Sequence, residues 1–171
     1  ALAVGDEVAD VAGEIVAAAV RSLPRAMAEY APDGGWAEGP GYWNYATIYN
    51  VAMIAGLQSA LGTDFGLASI PGFAETGSYA VHVASVTGRT FNYADGRDGV
   101  LRSPHLFWLA KRFGQPRWAL LQRASASPHP LDLVWYDPAL VQSTNLPPEP
   151  LDKYFRQVEA VTLRSSWPGG S

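Results

Sequence analysis

From Gly39 to Thr63 the chain carries no charged residue, and no other feature restricts its fold as tightly. A run of this length with apolar or small residues on most sides predicts one long helix with protein nearly all round it. It makes a poor bilayer segment, because Asn44, Thr47, Asn50, Gln58 and Ser59 interrupt it. The helix is expected from about Tyr42 to Leu61, ending at Gly62. A helix enclosed in this way, flanked by amphipathic ones, predicts layers of helices rather than a small three-helix bundle.

The flanking segments supply those neighbours. Val8, Val11, Ala12, Ile15, Val16, Ala19 and Leu23 recur at the spacing of one helical face, with Glu7, Asp10, Glu14 and Arg21 mostly opposite. Pro24 opens a second short helix or a kinked extension to Tyr30. Ala31 to Gly41 reads as a loop from its Pro and Gly. Further helices are expected from Gly72 to Thr87, from a Ser103 cap to about Phe113, and from Pro116 to Arg123, with a helical turn at Leu131 to Tyr136. Arg89 to Tyr93 is the one plausible internal strand, leading into a Gly-rich turn at Ala94 to Gly99. Ser125 to Pro150 reads as a Pro-rich linker. Beyond it the pattern changes to period two, through Tyr154, Arg156 and Val158 and then Val161, Leu163 and Ser165. The expected fold is mainly α, with one or two short strands at the C-terminus.

Composition removes several functions. Charged residues make up 16% of the 171, below the roughly 25% of an average soluble protein, and hydrophobic residues make up 48%, which excludes disorder. A net charge of −4 argues against nucleic acid. There is no cysteine, so disulfide scaffolds, thiolate zinc sites and cysteine nucleophiles all fall. His82, His105 and His129 show no metal-ligand spacing, and neither metal nor cofactor is expected. The start, Ala1-Leu2-Ala3-Val4, has neither Met nor a basic-then-apolar signal, which reads as a removed leader or a fragment. Six Trp, eight Tyr, 17 Gly and 13 Pro in so uncharged a chain favour a broad aromatic surface held by tight turns, as proteins that meet sugar rings often use.

The most informative stretch is Asp33-Gly-Gly-Trp-Ala-Glu-Gly-Pro-Gly-Tyr-Trp-Asn-Tyr45. It brings Asp33, Trp36, Glu38, Tyr42, Trp43 and Tyr45 onto a Gly-rich loop feeding a helix N-terminus, and loops on rigid scaffolds are where binding residues concentrate. At about 100° per residue, Tyr42 and Tyr49 lie roughly 20° apart on a helix and Tyr45 about 60° away. This tyrosine stripe is open to two readings: core packing with each hydroxyl bonded to a backbone carbonyl, or the wall of a polar, aromatic cleft.

The motif PDGGWAEGPGYWNYAT, followed in order by ALGTDFGLASIPGF, FNYADG and VTLRSSW, resembles the heparinase II/III-like family of polysaccharide lyases across nearly the whole chain. The resemblance implies an incomplete (α/α) toroid of antiparallel helix pairs over residues 1–150. It implies the start of a truncated β-sandwich over residues 151–171, with VTLRSSW as the first strand. It implies β-elimination on uronic-acid polysaccharides, in which a base takes the C5 proton, an acid protonates the leaving oxygen and a polar group neutralises the carboxylate. The family's catalytic tyrosine carries over onto Tyr42, with Tyr45 as second choice, and Trp36, Glu38, Trp43 and Tyr45 become substrate-binding residues. The family's neutralising Asn or His lies upstream of the motif, and a further His comes from the sandwich. The chain alone is therefore expected to be inactive. The implied partner is an acidic glycan, and the implied location is periplasmic or extracellular. Self-association, or a partner chain, is expected on faces left open by truncation, such as Val8, Ile15 and Val16.

Other candidates are weaker. Asn92, Asp95 and Asp98 depart from calcium-loop spacing and read as a capped turn. Arg97 and Arg102 read as ordinary surface, and His82 as a satisfied core or surface histidine. Two alternatives to the lyase remain: a non-catalytic glycan-binding or structural helical domain, and a glycoside hydrolase using Asp33 and Glu38. The hydrolase is awkward, because its carboxyl groups must face each other across a bond at about 5–9.5 Å.

Overall fold

The structure is a computed structural model and describes residues 1–125 and 128–167. Residues 126–127 of the expected linker and 168–171 of the expected β-domain lie outside the described residues. The fold is mainly helical, in the order α1 (Ala9–Met27), α2 (Pro40–Leu61), α3 (Thr76–Val83), α4 (His105–Phe113), α5 (Pro116–Arg123), α6 (Asp132–Trp135) and α7 (Pro138–Val141). Strands β1 (Lys153–Phe155) and β2 (Ala160–Thr162) follow as an antiparallel pair, with Tyr154 opposite Val161. No helix among the described residues is long and apolar enough to cross a membrane.

Helix α2 starts at Pro40, whose missing N–H costs nothing in a first turn, and stops at Gly62 in a left-handed conformation, with the Gly62 N–H bonded to Gln58 O at 3.1 Å. Its inner face carries Trp43, Thr47, Asn50, Val51, Ile54 and Leu57, all buried. Tyr30 meets this face with its hydroxyl 2.9 Å from both Thr47 Oγ1 and Asn50 Nδ2, so the buried polar groups satisfy one another. Contrary to the sequence expectation, α2 is not enclosed. Tyr42, Tyr45 and Tyr49 are 46%, 62% and 61% exposed, so the tyrosine stripe faces solvent. Lack of charge did not imply burial here, because phenols tolerate water at their hydroxyl end.

The core gathers Trp43, Trp118, Tyr30, Tyr79, Phe73 and Phe155, and each large apolar side chain fully buried contributes about 1.5–3 kcal/mol. Helix α4 packs on α2 and α5, and α3 on α5. Helix α1 runs through Pro24 without a break and continues in a 3-10 turn, Ala28–Tyr30. Its buried side is Ala12 and Met27, with Val16, Val20 and Leu23 partly covered, while Val8, Val11 and Ile15 are exposed.

Several expected elements are shorter than their sequence signals. The helix expected from Gly72 to Thr87 is a 3-10 turn, Phe73–Glu75, followed by α3, and the chain becomes extended at Ala84. Arg89 to Tyr93 forms no full strand. Two isolated bridges, Ala84 to Thr90 and Arg89 to Val100, close a hairpin instead. Ser103 does not cap α4 with its side chain; its hydroxyl donates to Asn44 Oδ1. The expected linker is folded in part: α6 and α7 lie in it, Asp137 caps α7 by accepting from the Ala139 N–H at 3.0 Å, and Val141 is buried.

Two short strands alone would be marginal, and these are stabilised by docking. Phe155 meets Tyr79 edge to face at 5.2 Å, and the Arg164 guanidinium donates to the carbonyls of Val81, His82 and Ala84 at the end of α3. That cation satisfies carbonyls a helix end leaves without partners.

Candidate functional site

The loop before α2 is held from behind. Thr76 Oγ1 accepts the Trp43 indole N–H at 2.7 Å and donates to Gly34 O at 2.9 Å. The Trp36 carbonyl accepts from the Tyr93 hydroxyl at 2.9 Å, and Tyr79 and Tyr93 share a hydrogen bond beside it. Burial pushes the phenols of Tyr30, Tyr79 and Tyr93 up, so all three serve as neutral hydrogen-bonding groups. Gly39, at φ 90°, lies so close to the 84–100 hairpin that a Cβ there would sit 2.7 Å from Tyr93 O. Only glycine lets the hairpin lean over the start of α2.

That approach creates an open cleft of about 430 Å³. Tyr42, Asn44 and Tyr45 line one wall, from the first turns of α2, and Asp95, Arg97 and Arg102 line the other. Arg89 and Asp98 pair in a fork of two hydrogen bonds, at 2.8 and 2.9 Å, just outside it. Among the described residues Arg97 makes no ion pair, and the Arg102 guanidinium donates to Pro128 O. The cleft is thus lined by two guanidinium groups, Arg97 and Arg102, and one carboxylate, Asp95.

The sequence candidates divide sharply. Tyr42 and Tyr45 share the cleft. Trp43 is fully buried and Trp36 nearly so, with Trp36 5.0 Å from the Tyr30 ring, so neither indole has a face for a sugar. Their assignment as substrate contacts is corrected to support: each braces the loop from the core side. Glu38 is exposed on the loop and does not line the cleft. Asp33 is buried, and its Oδ2 accepts from Arg156 N at 2.9 Å and Arg156 Nε at 3.3 Å. It fastens the turn after β1, which leaves Glu38 without a facing carboxylate from this loop.

Sequence reasoning set Arg97 and Arg102 aside as ordinary surface and passed over Asn44. The arginines sit far along the chain from the motif, and only the hairpin's fold brings them to it. Asn44 lay inside the motif, but its role depends on Ser103.

Of the histidines, His82 is buried, with Nδ1 2.8 Å from Thr162 Oγ1 and Nε2 3.2 Å from Glu149 Oε1. It ties the C-terminal strands to α3. His105 is fully buried against Trp43, with ring centres 5.2 Å apart, and neither of its nitrogens has a partner. Burial, aided by nearby His129, pushes its pKa down to about 3, so it is neutral. Among the described residues no group of three or more His, Cys, Asp or Glu side chains is placed to hold a metal ion. No protein-family model matches the chain and no curated protein matches it, so its chemistry is read from the cleft itself.

Proposed function

We propose that the chain is part of the (α/α) toroid of a heparinase II/III-like polysaccharide lyase, residues 1–150, running into the start of a β-sandwich over residues 151–171. It would act on uronic-acid glycans met in the periplasm or outside the cell. One observation carries this reading: the exposed phenols of Tyr42 and Tyr45 share an open cleft with the exposed guanidinium of Arg97 on the hairpin. β-Elimination needs a proton carrier beside the sugar and positive charge where the acid group lies, and this cleft offers both. Tyr42 is the proton carrier of the proposal, taking the C5 proton and returning one to the departing glycosidic oxygen. Tyr45 contacts the sugar.

The test is the ultraviolet absorbance of the unsaturated uronate, which elimination produces and hydrolysis does not, measured on the full-length protein. Tyr42→Phe keeps the ring and removes the hydroxyl, so it should cost at least about 100-fold in rate, within the usual range for an acid–base group. Tyr45→Phe should cost far less. Full activity in Tyr42→Phe overturns the assignment, and reducing ends without absorbance would indicate a hydrolase.

A second reading, a glycan-binding domain without chemistry, is favoured by the Tyr45–Tyr49 pair. These two exposed rings meet edge to face at 5.0 Å and extend an aromatic surface along α2. Binding without any cleavage product would select it.

A further inference from the structure

We propose that a second cavity, between the end of α3, helix α5 and Trp167, binds a small carboxylate with an apolar body, held by Arg117 and Arg164. The site goes beyond the proposed function, since its lining shares no residue with the tyrosine cleft. It has a volume of about 250 Å³. Val81, Leu120, Leu121 and Leu146 give it apolar walls, and the two arginines line it without any Asp or Glu. The guanidinium carbons of Arg117 and Arg164 lie 5.0 and 4.6 Å from the centre of the same Trp167 ring. The two cations are therefore no farther apart than those distances added.

Each cation carries an unmet donor. Nε of Arg117 and Nε of Arg164 are both shielded from solvent, and neither has a hydrogen-bond partner. Arg164 commits its Nη2 to the carbonyls of Val81, His82 and Ala84. Arg117 makes no hydrogen bond or ion pair among the described residues. Glu149, whose carbonyl accepts the Trp167 indole N–H, has both carboxylate oxygens engaged, with His82 and Ser78. Asp152 accepts the Arg164 backbone N–H at 3.4 Å. Guanidinium groups withdrawn from water are ordinarily paired with an acid, and two of them on one ring repel each other. Burial pushes the pKa of Arg164 down, a sign of how poorly its charge is solvated. A carboxylate brings two acceptor oxygens to two orphan N–H groups, in charge-assisted bonds that suit a guanidinium. The negative face of the Trp167 ring keeps the anion at the guanidinium edges, which leaves the body of the ligand to Leu120 and Leu121. At roughly 30 Å³ per water-sized group, the cavity takes an acid of about eight non-hydrogen atoms, the size of hexanoate or benzoate. A bare inorganic anion would leave the apolar walls uncovered.

The experiment is a calorimetric titration of hexanoate and benzoate, each beside its uncharged counterpart, hexanol or benzyl alcohol, into the protein and two variants. Arg117→Met removes the guanidinium and keeps an apolar stem, with no hydrogen bond to lose. Ala124→Trp places a bulky side chain at the cavity from an exposed position on its rim and leaves both arginines in place. At least one acid should saturate at about millimolar concentration or below, and its alcohol should bind at least about 10-fold more weakly. Arg117→Met should weaken the acid about 10- to 100-fold, as loss of a charge-assisted hydrogen bond does, and leave the alcohol unchanged. Ala124→Trp should weaken both. Acid and alcohol binding alike, no saturation at millimolar acid, or an unchanged acid in Arg117→Met overturns the proposal. Inorganic phosphate forms a separate arm, and binding as tight as that of the acids overturns the assignment to an apolar carboxylate. Should Arg117→Met melt early, Ala124→Trp decides: undiminished acid binding there places the ligand elsewhere and overturns the site. No outcome bears on Tyr42, because the readout is binding and not cleavage.

Discussion

The indole N–H of Trp43 is donated to the hydroxyl of Thr76 at 2.7 Å, joining the first turn of α2 to the first residue of α3. Because the same hydroxyl donates onward to Gly34 O, one threonine fixes both the loop and the helix that carries Tyr42. Thr76→Val keeps the shape and removes both bonds, stranding a buried N–H and a buried carbonyl. It should cost about 2–4 kcal/mol, since each unsatisfied group costs roughly 1–3. Thr76→Ser should recover most of this. Urea unfolding midpoints of the two variants decide the matter.

His105 predicts an acid-sensitive stability. It stays neutral when folded, with its pKa pushed down to about 3, but it protonates in the unfolded chain near the ordinary value of 6.5. Its contribution is complete above about pH 6.5 and is lost as pH falls below that, by about 1.4 kcal/mol per pH unit until the folded value is reached. Between pH 7 and about pH 5 the protein should therefore lose about 2 kcal/mol through this residue. His105→Leu should show a correspondingly smaller drop over the same interval in denaturant titrations.

Gly77 lies inside α3, where alanine would ordinarily gain about 1 kcal/mol of helix propensity. Here an added Cβ would sit 2.2 Å from Cδ2 of the Trp118 ring. Forcing that fully buried ring aside should cost about 3 kcal/mol or more, so the clash wins and Gly77→Ala should be net destabilising by about 2 kcal/mol. A raised thermal midpoint would contradict the packing of α3 on α5.

Val8, Val11 and Ile15 leave an apolar strip exposed along α1. Contiguous apolar surface of this kind promotes association. Light scattering should show concentration-dependent self-association that Val11→Glu combined with Ile15→Glu removes. Because both side chains are exposed, stability should move by no more than about 0.5 kcal/mol.

The long helix and its end at Gly62 were legible in the sequence from the uncharged run and the glycine stop, whereas its start, expected near Tyr42, lies at Pro40, a proline of the first helical turn that reads as loop by composition. Helix α5 was equally legible, bounded by Pro116 and Arg123. The exposed stripe of Tyr42, Tyr45 and Tyr49 was visible as a stripe, but its direction was not, since periodicity shows which residues share a face and not which face meets the core. Trp36 and Trp43 illustrate the same limit: their place in the motif was plain, yet burial is decided by partners such as Tyr30 and Thr76, which are distant in sequence. The arginine wall of the cleft was illegible for a related reason. Arg97 acquires its meaning from a hairpin closed by two bridges and from the absence of a side chain at Gly39. Asp137 followed by Pro138 was a readable helix start within the stretch taken as linker, and its cap explains why that stretch folds.

The hairpin that leans over α2 divides its own residues between two tasks. Tyr93 points back to hold the Trp36 carbonyl, and the Thr90 N–H binds Gly99 O at 2.8 Å, while Asp95 and Arg97 project from the tip with no ion pair among the described residues. Anchorage and the lining of the cleft thus reside in different side chains of one short segment. Point changes at the tip therefore leave the anchor intact. The segment is accordingly the place where the lining of the cleft can be altered without loosening the frame that carries it.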